Sequence, residues 1–301
     1  MLFPTVSVRL QPLETAFFAK KSVAVSVLRL DEIHPVVSGN KLFKLHYFLQ
    51  VAIKKSGHGI ITFGGAYSNH LAATAYSCKE YKLKSIGIVR GEQPAILSHT
   101  LQQCKHNGMQ LIFVSREQYN EKEDAGYLYK LASTYKNYLI VPEGGYHPLG
   151  VAGAALIADL IDKEATHICC AVGTATTLAG LLKGVNDGQQ IVGFPVLKRM
   201  SDLHERILFL TGREYDSTQL QIENDYHFGG YAKKTPELIN FMNSFYNSSG
   251  IPTDFVYTGK MMFGVMDRIK KNFFPQGSRI VCLHTGGLQG NLSLPPGALS
   301  F

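Results

Sequence analysis

The chain has no run of basic residues, no CxxC pair, no apolar stretch of membrane length and no internal repeat. Each absence closes off a class of function. The formal charge of +7 is spread over isolated pairs, Lys20-Lys21, Lys54-Lys55, Lys233-Lys234 and Lys270-Lys271. No arm that would grip a nucleic-acid backbone is present, so no nucleic-acid partner is expected. The five cysteines, Cys78, Cys104, Cys169, Cys170 and Cys282, carry no metal-ligand spacing, and no metal is expected. Their odd number, without a disulfide framework, points to a reducing, cytoplasmic compartment. The opening residues MLFPTVSVRL lack the basic region and apolar block of a secretory signal. No apolar stretch approaches the roughly 20 residues that cross a bilayer, so no membrane partner is expected. What remains, with 45% hydrophobic and 18% charged residues, is an ordinary globular chain that can bury a large core.

The pattern along the chain alternates. An extended opening leads to a strand over residues 23–30, rich in β-branched residues. Pro35 and Ser38-Gly39 break it. Leu42, Leu45, Phe48, Leu49 and Ala52 then recur at helical spacing, predicting a helix over 41–55. Strands are predicted at 59–65, 85–91, 110–115 and 138–145, with helices at 71–81, 98–107 and 121–135. After the Gly- and Pro-bearing loop 144–150 come a helix at 151–163, strands at 167–173 and 191–196, and helices at 174–184 and 203–210. Residues 211–234 give no assignable pattern. A helix at 236–246, an extended stretch at 251–260, a helix at 261–272 and a strand at 279–287 complete the chain, and the last ten residues read as a loose terminus. Strand–helix repeats of this length argue for an α/β protein with open parallel-type sheets and helices on both faces. The loop at 144–150 is consistent with a crossing between two domains.

Three stretches carry chemistry. In SGNKLFK, residues 38–44, Lys41 stands after a turn at the entrance of a helix, with Lys44 one turn on. A lysine amine becomes a catalyst when it condenses with an aldehyde cofactor, although a lysine opening a helix is ordinarily a solvated surface group. GTATTLAG, residues 173–180, takes an apolar strand straight into a helix through small and hydroxylated residues. That aims several backbone N–H groups and a positive helix end at one point, which suits a phosphate; a plain strand-to-helix turn reads as well. In FGGAYSNH, Ser68 and Asn69 stand where a strand hands over to a helix, able to face a ligand or merely to cap the helix. VYTGK at 256–260 and HTGG at 284–287 set further polar residues at comparable edges.

Taken in order, SGNKxxK, GGxxSNH, the Gly/Thr loop, VYTGK and HTGG resemble the 1-aminocyclopropane-1-carboxylate deaminase and D-cysteine desulfhydrase family. These are pyridoxal-phosphate enzymes of the tryptophan-synthase-β type of fold. The resemblance implies pyridoxal 5'-phosphate in a cleft between a large domain, residues 1–43 and 150–301, and a small one, residues 44–149. It implies that Lys41 carries the cofactor and Lys44 assists its phosphate, with Gly173, Thr174, Ala175, Thr176 and Thr177 as the phosphate cup. Asn69 would bond the ring hydroxyl and, with Ser68 and His70, hold the substrate. Ser68, Tyr231 and Tyr257 would be catalytic, and Thr258 would face the pyridine nitrogen. A homodimer acting on a small amino acid is implied too.

The deaminases of that family carry Glu where this chain has Thr258. A neutral hydroxyl leaves the ring a weaker electron sink, sufficient for α-proton loss and expulsion of a thiolate. The expectation is therefore β-elimination from D-cysteine or a related D-amino acid. Ring-opening deamination, an L-amino-acid dehydratase or sulfhydrylase, and a non-catalytic protein binding a phosphorylated metabolite are the alternatives. Tyr67, Phe255 and the stretch YAKKT from Tyr231 depart from the family pattern around the substrate rather than the phosphate.

Overall fold

The fold comes from a computed structural model that describes residues 8–55 and 59–301. It contains two sheets, both mainly parallel as the strand–helix alternation predicts. The first has six strands in the order β1 (Leu10–Leu13), β2 (Ala24–Leu28), β10 (Arg279–Leu283), β7 (His167–Val172), β8 (Gln190–Pro195) and β9 (Leu220–Ile222). Only β1 runs antiparallel to its neighbour. The second has four parallel strands in the order β5 (Met109–Val114), β4 (Lys84–Arg90), β3 (Gly59–Gly64) and β6 (Tyr138–Val141). β3 lies between two parallel partners under helices, so all its residues are buried and no polar alternation is seen.

Helices connect and cover these strands: α1 (Ala16–Lys21), α2 (Asn40–Lys54), α3 (Asn69–Glu80), α4 (His99–His106), α5 (Arg116–Asn120), α6 (Ala125–Thr134), α7 (Pro148–Ala155), α8 (Thr176–Gly184), α9 (Leu203–Thr211), α10 (Pro236–Ser249) and α11 (Thr258–Lys270). The stripe predicted on α2, Leu42 to Ala52, is buried throughout. Glycines let the helices behind the site approach backbone to backbone: a Cβ at Gly153 of α7 would strike the Phe43 carbonyl of α2, and one at Gly180 of α8 would strike Ala154 of α7. Burial of this density makes each large-to-small change in the stripe cost about 2–5 kcal/mol.

Several local expectations are corrected. The opening is more than extended chain, since it holds β1 and α1. β2 stops at Leu28 because a 3-10 turn, Leu30–Glu32, follows, secured by the buried Arg29–Asp31 pair at 2.7 Å. The helix expected over 121–135 is interrupted: Ser115 caps α5 with a capping box and Asp124 caps a separate α6. α7 starts earlier than expected, with His147 as cap and Pro148 at its first turn, and it ends at Ala155. The unassigned stretch 211–234 supplies the edge strand β9. Residues 251–257 form no strand among the described residues. The terminus is docked rather than loose: Leu294 and Leu299 pack against the cluster around Leu238, Met242, Phe255 and Val256, and the Ser300 N–H donates to Asn243 Oδ1 at 2.8 Å. No helix among the described residues is long and apolar enough to cross a membrane.

Candidate active site

α2 begins where it does because Gly39 makes a turn open to few other residues. Its φ is +71°, and a Cβ there would run into the Thr285 carbonyl. The same carbonyl accepts the Asn40 N–H at 3.3 Å. The HTGG segment thus closes the turn that presents Lys41. It is braced from behind by His284, 1% exposed, whose Nε2 bonds the Pro252 carbonyl at 2.6 Å while Nδ1 lies 3.2 Å from Asp31.

The Lys41 ammonium donates to Asn40 Oδ1 at 2.7 Å, and Asn40 Nδ2 donates to Thr177 Oγ1 at 2.8 Å. A short polar chain therefore joins Lys41 to the first turn of α8. Burial pushes the Lys41 pKa down to about 8, with Asp254 acting to raise it. Lys44 is 4% exposed and also pushed down, by burial and then by Lys41. No carboxylate pairs with either amine within ion-pair distance among the described residues. A buried amine at Lys44 and a half-buried one at Lys41, without a paired carboxylate, mark a place where an anion would be favoured.

The Gly/Thr loop supplies such a place. Ala175 precedes α8 with φ +65°, and no side chain caps the helix. This is why α8 starts at Thr176 and not at Thr174 as predicted. Its first-turn N–H groups are left without a side-chain acceptor, and the Thr174 and Thr176 hydroxyls lie 3.1 Å apart beside them. Gly173 has no side chain where the Tyr257 ring approaches, 3.2 Å from the position of a Cβ.

Across from this loop, Ser68 caps α3, accepting the Leu71 N–H at 3.2 Å, so the capping role considered for it is real. Its own proton remains available. Asn69 packs its amide nitrogen near Gly287, whose missing Cβ would be 3.1 Å away, and its Oδ1 is buried without a hydrogen-bond partner among the described residues. His70 points elsewhere. Its Nε2 bonds Thr62 Oγ1 at 2.9 Å, and because Thr62 gives its proton to the Val141 carbonyl, Nε2 is the donor. Burial, then Lys44 and Lys41, keep this imidazole well below its ordinary pKa.

Tyr257 and Tyr231 meet edge to face, centroids 6.0 Å apart at 74°. Burial raises the pKa of the Tyr257 phenol, and desolvation around its hydroxyl raises that of Tyr231, whose ring is otherwise exposed. Thr258 is fully buried and gives its proton to Asp254 Oδ2 at 2.6 Å while accepting the Asp254 N–H at 2.8 Å. Asp254 is the residue that sequence reasoning missed. Its Oδ1 accepts the Val256 and Tyr257 N–H groups and its Oδ2 the Thr258 N–H, all within 2.9 Å. One carboxylate thus starts α11 and orients Tyr257. An Asp shortly before a predicted helix was the available signal. Asn40 and Lys260 were also passed over, though both lie inside motifs that had been singled out.

The departures sit at the rim. Tyr67 is 43% exposed. Phe255 is buried in the tail-docking cluster. The YAKKT stretch ends in Thr235, which caps α10 ahead of Pro236.

The side chains fit a small phosphorylated aldehyde: a neutralisable amine at Lys41, a buried amine without a carboxylate partner at Lys44, an uncapped helix end at α8, and an unsatisfied buried amide oxygen at Asn69. The family model described as pyridoxal-phosphate dependent enzyme matches residues 5–286. A Thermotoga maritima protein provisionally named 1-aminocyclopropane-1-carboxylate deaminase is 31% identical over 284 residues, spanning 88% of this chain and 89% of that protein. The Arabidopsis thaliana protein named bifunctional D-cysteine desulfhydrase/1-aminocyclopropane-1-carboxylate deaminase, mitochondrial, is 28% identical, covering 84% of this chain and 70% of that one. A crystal structure described as an ACC deaminase homologue superposes with a TM-score of 0.79 at 27% identity, over 97% of this chain and 92% of that one. Residues, fold and relatives agree: this chain belongs to the pyridoxal-phosphate dependent enzymes of tryptophan-synthase-β-like fold, in the 1-aminocyclopropane-1-carboxylate deaminase/D-cysteine desulfhydrase family, with pyridoxal 5'-phosphate as cofactor.

Proposed function

We propose that this chain is a lyase that performs α,β-elimination on D-cysteine or a related D-amino acid, giving a 2-oxo acid, ammonia and sulfide. The observation that carries the choice is Thr258. It is neutral, its proton is given to Asp254, and that carboxylate also receives three N–H groups, so neither side chain presents a free charge. The neutral side chain suits loss of a good leaving group better than opening of a cyclopropane ring. Ring-opening deamination is the second reading, favoured by the names of the relatives.

In this reading Lys41 holds the cofactor covalently, and the first turn of α8, the residues from Gly173 to Thr177 and Lys44 hold its phosphate. Asn69 bonds the ring hydroxyl and, with Ser68, the substrate, while His70 stays tied to Thr62 behind them. Bound pyridoxal phosphate supplies an electron sink for the pair released when the α C–H bond breaks. Lys41 or Ser68 takes that proton; an amine with pKa about 8 has a usable neutral fraction near neutrality. Tyr257 or Tyr231, both protonated near neutrality, orients the substrate or gives a proton to the departing sulfur. Water then hydrolyses the released enamine to 2-oxo acid and ammonia. A homodimer in a reducing cytoplasm belongs to the same reading, and the five cysteines, all buried and free, support the redox part.

The test is the visible spectrum of the purified protein, followed with sulfide assay during addition of D-cysteine or 1-aminocyclopropane-1-carboxylate. A cofactor band that shifts with D-cysteine as sulfide forms is expected, as is loss of turnover by at least about a thousandfold in Lys41→Ala. A band answering only to the cyclopropane substrate would transfer the assignment to ring opening. Normal turnover by Lys41→Ala would end both readings.

A further inference from the structure

The lysine of VYTGK has no part in the chemistry above, and its setting is unusual. Lys260 lies in the first turn of α11 and is 1% exposed. A buried ammonium is ordinarily paired with a carboxylate, yet none lies within ion-pair distance among the described residues. Its Nζ donates to two carbonyls instead, His227 at 2.9 Å and Gly230 at 2.7 Å. Burial lowers its pKa to about 8, with Asp254 opposing.

Both carbonyls belong to one contorted loop. Phe228, Gly229, Gly230 and Ala232 all have positive φ, at 50°, 90°, 116° and 53°. Two of these residues carry a Cβ, so the left-handed backbone is held against its own preference. Internal hydrogen bonds are few: the Gly230 N–H to the His227 carbonyl, the Lys233 N–H to the Gly230 carbonyl, and the Gly229 N–H to His227 Nδ1. The residue that this loop delivers is Tyr231, 46% exposed, edge to face against Tyr257. Asp254 orients Tyr257 from the start of α11, and Lys260 reaches from the same turn to the carrier of Tyr231.

We propose that Lys260 is a positioning residue. Its ammonium ties down the 227–233 loop and so sets Tyr231 against Tyr257 at the rim of the site. The functional half of this statement rests on the reading in which the two phenols face the substrate; the structural half does not.

The test separates those halves. Hydrogen–deuterium exchange is followed in the intact, cofactor-loaded protein for wild type, Lys260→Met and Lys260→Arg. Lys260→Met, similar in length but without a donor, is expected to speed exchange of the 227–233 amides by about tenfold or more, with the sheet strands unchanged and Lys260→Arg close to wild type. Unchanged loop exchange in Lys260→Met would overturn the proposal. If Lys260→Met loses cooperative melting, Lys260→Gln, which keeps a donor amide, serves the same comparison. Kinetically, Lys260→Met should lower kcat/KM about tenfold in the wild type and add nothing in a Tyr231→Phe background. An equal loss in both backgrounds would make Lys260 a general support and sink the positioning role. Failure of D-cysteine as substrate would leave the exchange result untouched.

Discussion

The two walls of the site are built by different means. On the side of the Gly/Thr loop, the residues that converge are nearly contiguous: a strand end, a left-handed Ala175 and the uncapped first turn of α8. The Asn40–Thr177 hydrogen bond connects them to Asn40 and, through it, to Lys41. On the tyrosine side, the residues come from separate segments and are held by buried charges, Asp254 under Tyr257 and Lys260 under the loop of Tyr231. The first wall is fixed by local geometry. The second is set by long-range contacts that single substitutions can loosen.

The sharpest way to break this contrast is at the turn of Lys41. Gly39→Ala places a Cβ at φ +71° against the Thr285 carbonyl, so a loss of at least about 2–4 kcal/mol is expected. Urea unfolding measures it, and loss of cofactor binding should accompany it. A change within 0.5 kcal/mol would mean that the turn relaxes freely.

Asp254→Asn comes next. It keeps the shape but removes the charge that four donors share, at an expected cost of about 1–3 kcal/mol in thermal or urea unfolding. It also removes the charge that raises the Lys41 pKa. The pH midpoint for pyridoxal phosphate capture should therefore move down, and a rise would contradict the geometry.

The smallest effect is the pH dependence of stability in cofactor-free protein. Lys41 and Lys260 both titrate near 8 when folded, against 10.5 when unfolded. Between those values the unfolded chain binds more protons, so stability rises with pH from about 8 until tyrosines of the unfolded chain ionise near 10. Lys260→Met should flatten part of that slope in denaturant titrations.

The same contrast explains what the sequence disclosed. The two-sheet α/β fold was legible because β3 and β7 are continuous apolar runs and α2 carries a clean stripe. The Gly/Thr turn into α8 could be read directly because its parts are neighbours in the chain. Tyr231 was reachable only through resemblance to a family, since residues 211–234 have no period and the loop is shaped by a lysine some thirty positions later. Asp254 escaped because residues 251–260 looked extended, and an aspartate that caps a helix is indistinguishable from a loop aspartate until the helix start is known. The docked terminus escaped for a similar reason: its Pro and Gly content masks the two leucines that anchor it.

The closure of Gly39 and Asn40 by Thr285 has a consequence for how the protein folds. The carbonyl that completes the turn of Lys41 comes from Thr285, in a strand-to-loop segment far along the chain. Until residues 284–287 dock, the turn has no partner and the lysine cannot be presented in its final geometry. Presentation of Lys41 thus depends on a contact between residues far apart in the sequence, of the kind that closes slowly during folding.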